Sequence, residues 1–162
     1  MSKSIEEILT EVIKREGEAT NDSQDGGGRT EFGISERANP EAWADGKVTE
    51  AEARAIYETK YVKTPHFDLV QDAKLREQLI DYGVNSGPQL AVMELQKALG
   101  NVDVDGVLGP QTLATLDGIY VPSINNRLVI QRVKMFGRIV KKDPSQLKYL
   151  NGWLNRALEF IL

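Results

Sequence analysis

The sequence predicts a mainly α fold, a helical single domain over residues 1–162 with one small β-hairpin after the first helix. Two observations predict it. Apolar residues recur at helical spacing behind recognisable helix starts along most of the chain, and one polar, glycine-rich interruption is followed by a short strand-like run. A third observation sets the scale: 162 residues with 41% hydrophobic content are enough to close one core.

The first helix begins at a capping box, Ser4-Ile5-Glu6-Glu7, in which a hydroxyl and a carboxylate three residues apart satisfy unpaired backbone N–H groups. Ile5, Ile8, Leu9, Val12 and Ile13 form one stripe, and the next position on that stripe is Glu16. Gly17 is expected to stop the helix in the left-handed conformation, leaving Glu16 where the helix meets a loop. Gly26-Gly27-Gly28 permits a tight hairpin, and Thr30-Glu31-Phe32-Gly33-Ile34 reads as strand-like. A second capping box, Thr49-Glu50-Ala51-Glu52, opens a segment carrying Ala53, Ile56, Tyr57 and Tyr61, and Pro65 breaks the chain after it. Further helices are expected over Ala73 to Tyr82, from Pro88 to a stop at Gly100, and over Ile124 to Val140. Asp143-Pro144-Ser145-Gln146 starts a terminal helix containing Leu147, Leu150, Trp153, Leu154, Ala157 and Ile161.

The chemistry concentrates around the first helix and the glycine-rich segment. A carboxylate on the core-facing stripe is partly desolvated, which disfavours its charged form and raises its pKa, the condition for a general acid near neutral pH. Hydrolysis of a glycosidic bond takes a second carboxyl group as well, and Glu18, Asp22 and Asp25 follow within nine residues of Glu16. Asp25 precedes the glycines and Thr30 follows them, a spacing that folds both toward Glu16. The same residues also read as a solvated helix end followed by an ordinary turn, and spacing alone leaves both readings open.

Glu16-Gly17, Asn21-Asp22, Asp25, Gly27-Gly28, Thr30 and Gly33-Ile34 resemble the opening signature of glycoside hydrolase family 108, phage and bacterial N-acetylmuramidases, written E-G-G-Y-x-N-D-x-x-D-x-G-G-x-T-x-x-G-I. The resemblance continues through Tyr57 and Tyr61, Asp81-Tyr82-Gly83-Val84-Asn85-Ser86-Gly87, Leu95-Gln96-Lys97-Ala98-Leu99-Gly100 and Asp105-Gly106-Val107-Leu108-Gly109-Pro110-Gln111-Thr112. It implies a lysozyme-like fold and hydrolysis, without a cofactor, of the β-1,4 bond between N-acetylmuramic acid and N-acetylglucosamine, with a phage endolysin foremost. It further implies Glu16 as general acid, Asp25 and Thr30 as the groups holding the attacking water in an inverting mechanism, and Asp81 and Asn85 as residues lining the cleft. Residues 1–100 are then the catalytic part and residues 101–162 a helical part resembling a peptidoglycan-binding region, packed on the same core. Glu18 and Ala19 depart from the second glycine and the aromatic of the signature, and Gly26 replaces its usual proline. Tyr57 and Tyr61 can present ring faces to sugars, although their helical spacing suits the core equally.

Other classes are disfavoured. The chain has no Cys, which excludes Cys-His wall amidases and peptidases, and its lone His66 cannot supply the two imidazoles of a typical zinc peptidase. Ser86 lacks a G-x-S-x-G context. Asn101-Val102-Asp103-Val104-Asp105-Gly106 starts like a calcium loop, but its twelfth position is Thr112 and Pro110 falls inside it, so no metal is expected. Net charge is −4, yet residues 122–162 hold eight Lys/Arg against two Asp/Glu; Arg127, Lys134, Arg138 and Lys141 share a face that reads as solvated or as meeting anionic polymer. Nucleic acid is not an expected partner of an acidic chain without aromatic-interleaved basic patches. No apolar signal core or membrane span is legible, so the expectation is a monomer made in a bacterial cytoplasm, acting on the wall after release across the inner membrane with the help of a separate pore-forming protein. Bacterial peptidoglycan is the expected partner. A lytic transglycosylase and a noncatalytic wall-binding module are the alternatives.

Overall fold

The computed structural model describes residues 3–19 and 29–162, and in these the fold is mainly helical, with seven α-helices and one two-stranded antiparallel hairpin after the first helix. The chain divides into two compact units, Met1–Thr64 and Pro65–Leu162.

In the first unit, α1 spans Ile5–Ala19 and starts as the capping box requires: the Ser4 N–H and hydroxyl donate to the Glu7 carboxylate at 2.8 and 2.9 Å, and the Glu7 N–H donates back to the Ser4 hydroxyl at 3.2 Å. Gly17 does not end the helix, which runs on to Ala19; glycine is only a weak breaker when the backbone ladder continues. Strands β1 (Thr30–Glu31) and β2 (Ile34–Ser35) pair Thr30 with Ser35 and Glu31 with Ile34, so the strand-like run is in fact a whole hairpin. Its two-residue turn is Phe32-Gly33, with φ of +50° and +76°, the positive pair that matches a turn to the twist of its strands. The tight turn expected at Gly26-Gly27-Gly28 lies outside the described residues. Helix α2 (Glu50–Glu58) carries both bonds of its capping box between Thr49 and Glu52, and continues into a π-helical turn, Thr59–Lys63. Arg54 of α2 ties it to α1, donating to the Glu6 carboxylate at 3.0 Å and the Thr10 hydroxyl at 2.8 Å. Ile8, Leu9, Val12, Ile34, Trp43, Val48, Ala53 and Tyr57 are buried in this unit.

The second unit opens at Pro65, the break read from the sequence, with His66 in the left-handed region at φ +60°. Helices α3 (Ala73–Ser86) and α4 (Pro88–Leu99) follow, the first one turn longer than expected because Gly87 rather than Tyr82 marks its end, the second stopped by Gly100 at φ +80°. Helix α5 (Pro110–Asp117) starts at the proline of the D-G-x-x-G-P-x-T segment. Helix α6 spans Val121–Lys142, and α7 spans Leu147–Leu158 behind a 3-10 turn, Pro144–Gln146, whose N–H of Ser145 donates to Asp143. α4 and α7 pack on α6, and α3 packs on α4.

The D-G-x-x-G-P-x-T segment closes on Gln96, a buried residue of α4. Its amide nitrogen donates to Asp105 at 2.7 Å, to the Val107 carbonyl at 3.0 Å and to the Thr112 hydroxyl at 3.2 Å, while its amide oxygen accepts from the Gly106 N–H at 2.9 Å. Asp105 thus spends its carboxylate on its own chain, and no acidic or histidine cluster suited to a metal exists among the described residues.

Candidate active site

Glu16 lies on α1 one turn beyond Val12 and Ile13, half-buried, and the hairpin turn is set against it. A Cβ on Gly33 would lie 2.9 Å from the Glu16 Cβ and 3.6 Å from its Cγ, and would collide with the Tyr57 hydroxyl. Only glycine fits, both for this contact and for φ of +76°. The Tyr57 hydroxyl donates to the Phe32 carbonyl at 3.1 Å, fixing the turn from the α2 side. Burial pushes the ionisation of Tyr57 well above the ordinary tyrosine value, and the negative charge of Glu16 pushes it further, so Tyr57 stays a neutral donor.

The same hairpin holds Thr30. Its neighbour Arg29 makes a two-pronged pair with Glu36, at 3.0 and 2.8 Å, donates to the Gly46 carbonyl at 3.1 Å and stands 5.0 Å over the Trp43 ring. On the other side Glu31 accepts the Val48 N–H at 2.7 Å, and the Trp43 indole donates to the Ile34 carbonyl at 3.3 Å. Thr30 therefore sits on a short strand clamped at both flanks, three residues before the glycine that touches Glu16, a backbone span of at most about 10 Å. Gly17, next to Glu16, and Thr30 both line a cleft of about 740 Å³, with Thr10, Ile13, Lys14, Phe32, Lys47 and Val48 among its walls.

Residues 9–87 match the family model described as glycosyl hydrolase 108. The chain carries a glycosyl hydrolase 108 domain. Residues 90–158 match a second model, described as a predicted peptidoglycan domain. Among solved structures the chain is similar to SagA of Brucella abortus, with 27% sequence identity and a TM-score of 0.69 over 94% of this chain and 90% of that one. No curated protein matches the sequence.

Within the glycosyl hydrolase 108 domain the expected residues fall into different situations. Asp25 lies outside the described residues. Tyr57 is only 3% exposed and faces the hairpin, so its ring is a packing and turn-holding element rather than a sugar platform. Tyr61, one turn on, stacks on it with ring centroids 5.5 Å apart and is partly exposed, lining a groove with Lys60, Ser35 and Asn39. Asn85 is exposed on the last turn of α3. Asp81 is buried: its side chain is 4% exposed, and one oxygen accepts from Arg132 and the other from Arg156, each at 2.8 Å. Arg132 is itself fully buried and stands 4.7 Å over the Tyr82 ring. Asp81 anchors α6 and α7 to α3 and presents no surface to a sugar. Gly33, Arg29 and Glu31 were not read as site residues; Gly33 was visible within the T-x-x-G-I signature, whereas partners seven to seventeen residues away gave Arg29 and Glu31 no local signal.

Proposed function

We propose that the protein is an N-acetylmuramidase that hydrolyses the β-1,4 bond between N-acetylmuramic acid and N-acetylglucosamine in peptidoglycan. One observation carries this reading: Glu16, half-buried on α1, is braced by the Gly33 turn of a glycosyl hydrolase 108 domain, and that domain is followed by a match to a peptidoglycan domain. In the proposed reaction the Glu16 carboxyl protonates the glycosidic oxygen as its bond to the anomeric carbon breaks. Asp25 takes a proton from a water held by the Thr30 hydroxyl as that water attacks the opposite face, so the configuration inverts and Glu16 and Asp25 exchange proton states. Tyr61 and Asn85 serve as sugar contacts. No metal or cofactor has a part in these steps.

The biological setting we propose is host lysis by a phage, with a monomeric endolysin reaching the wall from the cytoplasm once a separate pore-forming protein has opened the inner membrane. No helix among the described residues is long and apolar enough to cross a membrane. Digestion of purified peptidoglycan by wild type and Glu16→Gln, with mass spectrometry of the released ends, tests the reaction. Reducing N-acetylmuramic acid ends from wild type alone are expected. Anhydro ends would make the enzyme a transglycosylase, and equal effects of both proteins on cells without cleavage would make it a binding module.

A further inference from the structure

The 740 Å³ cleft beside Thr30 has a composition that the cleavage chemistry does not use. Its inner wall is apolar, from Ile13 of α1, Phe32 of the hairpin turn and buried Val48. Among the described residues four charged side chains line it as well, and they are not equivalent. Glu31 accepts the Val48 N–H at 2.7 Å, and Glu50 lies 3.7 Å from Arg54, so both carboxylates are engaged by their own chain. Lys14 and Lys47, both exposed, form no ion pair among the described residues. The cleft therefore offers methyl-sized apolar surface flanked by two ammonium groups that no carboxylate of the described residues meets at contact distance.

The glycan backbone has no use for that combination once the lactyl carboxyl of each muramic acid is amide-linked to its stem, since the sugars then bring hydroxyls and amides rather than anions. The peptide stem carried on the lactyl group of muramic acid has it: short, rich in alanine methyl groups, and bearing carboxylates. We propose that this cleft receives the acidic peptide stem of the muramic acid residue at the cleaved bond, Lys14 and Lys47 pairing with its carboxylates and Ile13, Phe32 and Val48 packing on its methyl groups. The proposal rests on the muramidase reading for the identity of the polymer, and on the cleft alone for the identity of the group it takes. Stem binding there adds affinity at a distance from the reacting atoms, so it acts on KM.

Two measurements test it. The first compares wild type with the Lys14→Ala/Lys47→Ala variant on soluble peptidoglycan fragments, native and with the stem carboxylates converted to amides. Amidation is expected to raise the KM of wild type about ten-fold, the scale of two partly exposed ion pairs. The variant should show that raised KM on native fragments already and be indifferent to amidation, while Lys14→Arg/Lys47→Arg restores the wild-type response. A variant that matches wild type on native fragments, or still loses affinity on amidation, overturns the proposal. The second is calorimetric titration with a soluble muramyl tetrapeptide, which needs no cleavage. If wild type cleaves neither substrate, the muramidase reading fails, and the titration alone decides the cleft: tighter binding by wild type than by the alanine variant supports it, and equal binding overturns it.

Discussion

Glu16 and Asp81 are both carboxylates on core-forming helices, one in each compact unit, and the chain uses them in opposite ways. Asp81 is sealed: 4% exposed, with a guanidinium from α6 on one oxygen and another from α7 on the other. Glu16 is half-buried, and a glycine turn is set against its methylene groups on one side. A carboxylate sealed between two arginines is out of reach, which suits a structural clamp. A carboxyl group that is partly desolvated at the edge of a cleft keeps access to substrate. Burial by itself therefore does not mark a catalytic acid.

Substitution at the two positions should separate them, beginning with the largest effect. Glu16→Gln keeps the shape and removes the proton, so kcat is expected to fall by about 10³-fold or more with an unchanged thermal midpoint. Asp81→Ala should do the reverse, costing about 3–5 kcal/mol because Arg132 is left buried without its partner, as read by urea unfolding. Should Asp81→Ala instead unfold like wild type but lose activity, the contrast would collapse and Asp81 would have to be placed in the cleft.

The asymmetry also explains what was legible in the sequence. Local signals sufficed for the capping boxes at Ser4 and Thr49, the break at Pro65 and the stop at Gly100, because each involves residues within a few positions of one another. The half-buried position of Glu16 was legible through its place on the α1 stripe. The pairing of Asp81 had no local signal, because the arginines that hold it stand 51 and 75 residues away. Tyr57 was left between sugar platform and core for the same reason: its partner is a carbonyl 25 residues upstream. The turn at Phe32-Gly33 was not legible because it needs only one glycine, its first residue taking φ of +50° with its carbonyl held.

The brace on Glu16 can be weakened in two steps. Gly33→Ala combines a positive φ with a Cβ only 2.9 Å from that of Glu16, so the turn must shift. A cost of about 1–3 kcal/mol in stability is expected, together with a loss of activity larger than the unfolded fraction explains, measured as specific activity of folded protein. Tyr57→Phe is milder. It removes the hydroxyl that holds the Phe32 carbonyl, for about 0.5–1.5 kcal/mol, and should lower activity less than ten-fold. If Gly33→Ala were as active as wild type, the hairpin would not be what positions Glu16.

The smallest effect concerns exposed carboxylates, where the two units behave alike. Glu52 in the α2 cap and Asp105 in the loop around Gln96 are both held below the usual carboxylate range, Glu52 chiefly by the Thr49 N–H and Asp105 chiefly by the Gln96 amide. A depressed pKa in the folded state means that the stabilisation is complete above the unfolded value, about 4, and drains away as pH falls through the lower folded value. Asp105→Asn retains an oxygen able to accept from Gln96 and Val107 but does not titrate. Its urea midpoint should thus fall less steeply than that of wild type below about pH 4, while Glu16→Gln leaves the acid limb of wild type in place. An identical acid limb for Asp105→Asn would mean that the bonds to Gln96 and Val107 persist in the unfolded chain or contribute nothing, and the loop would then be held by the buried Gln96 amide and Thr112 alone.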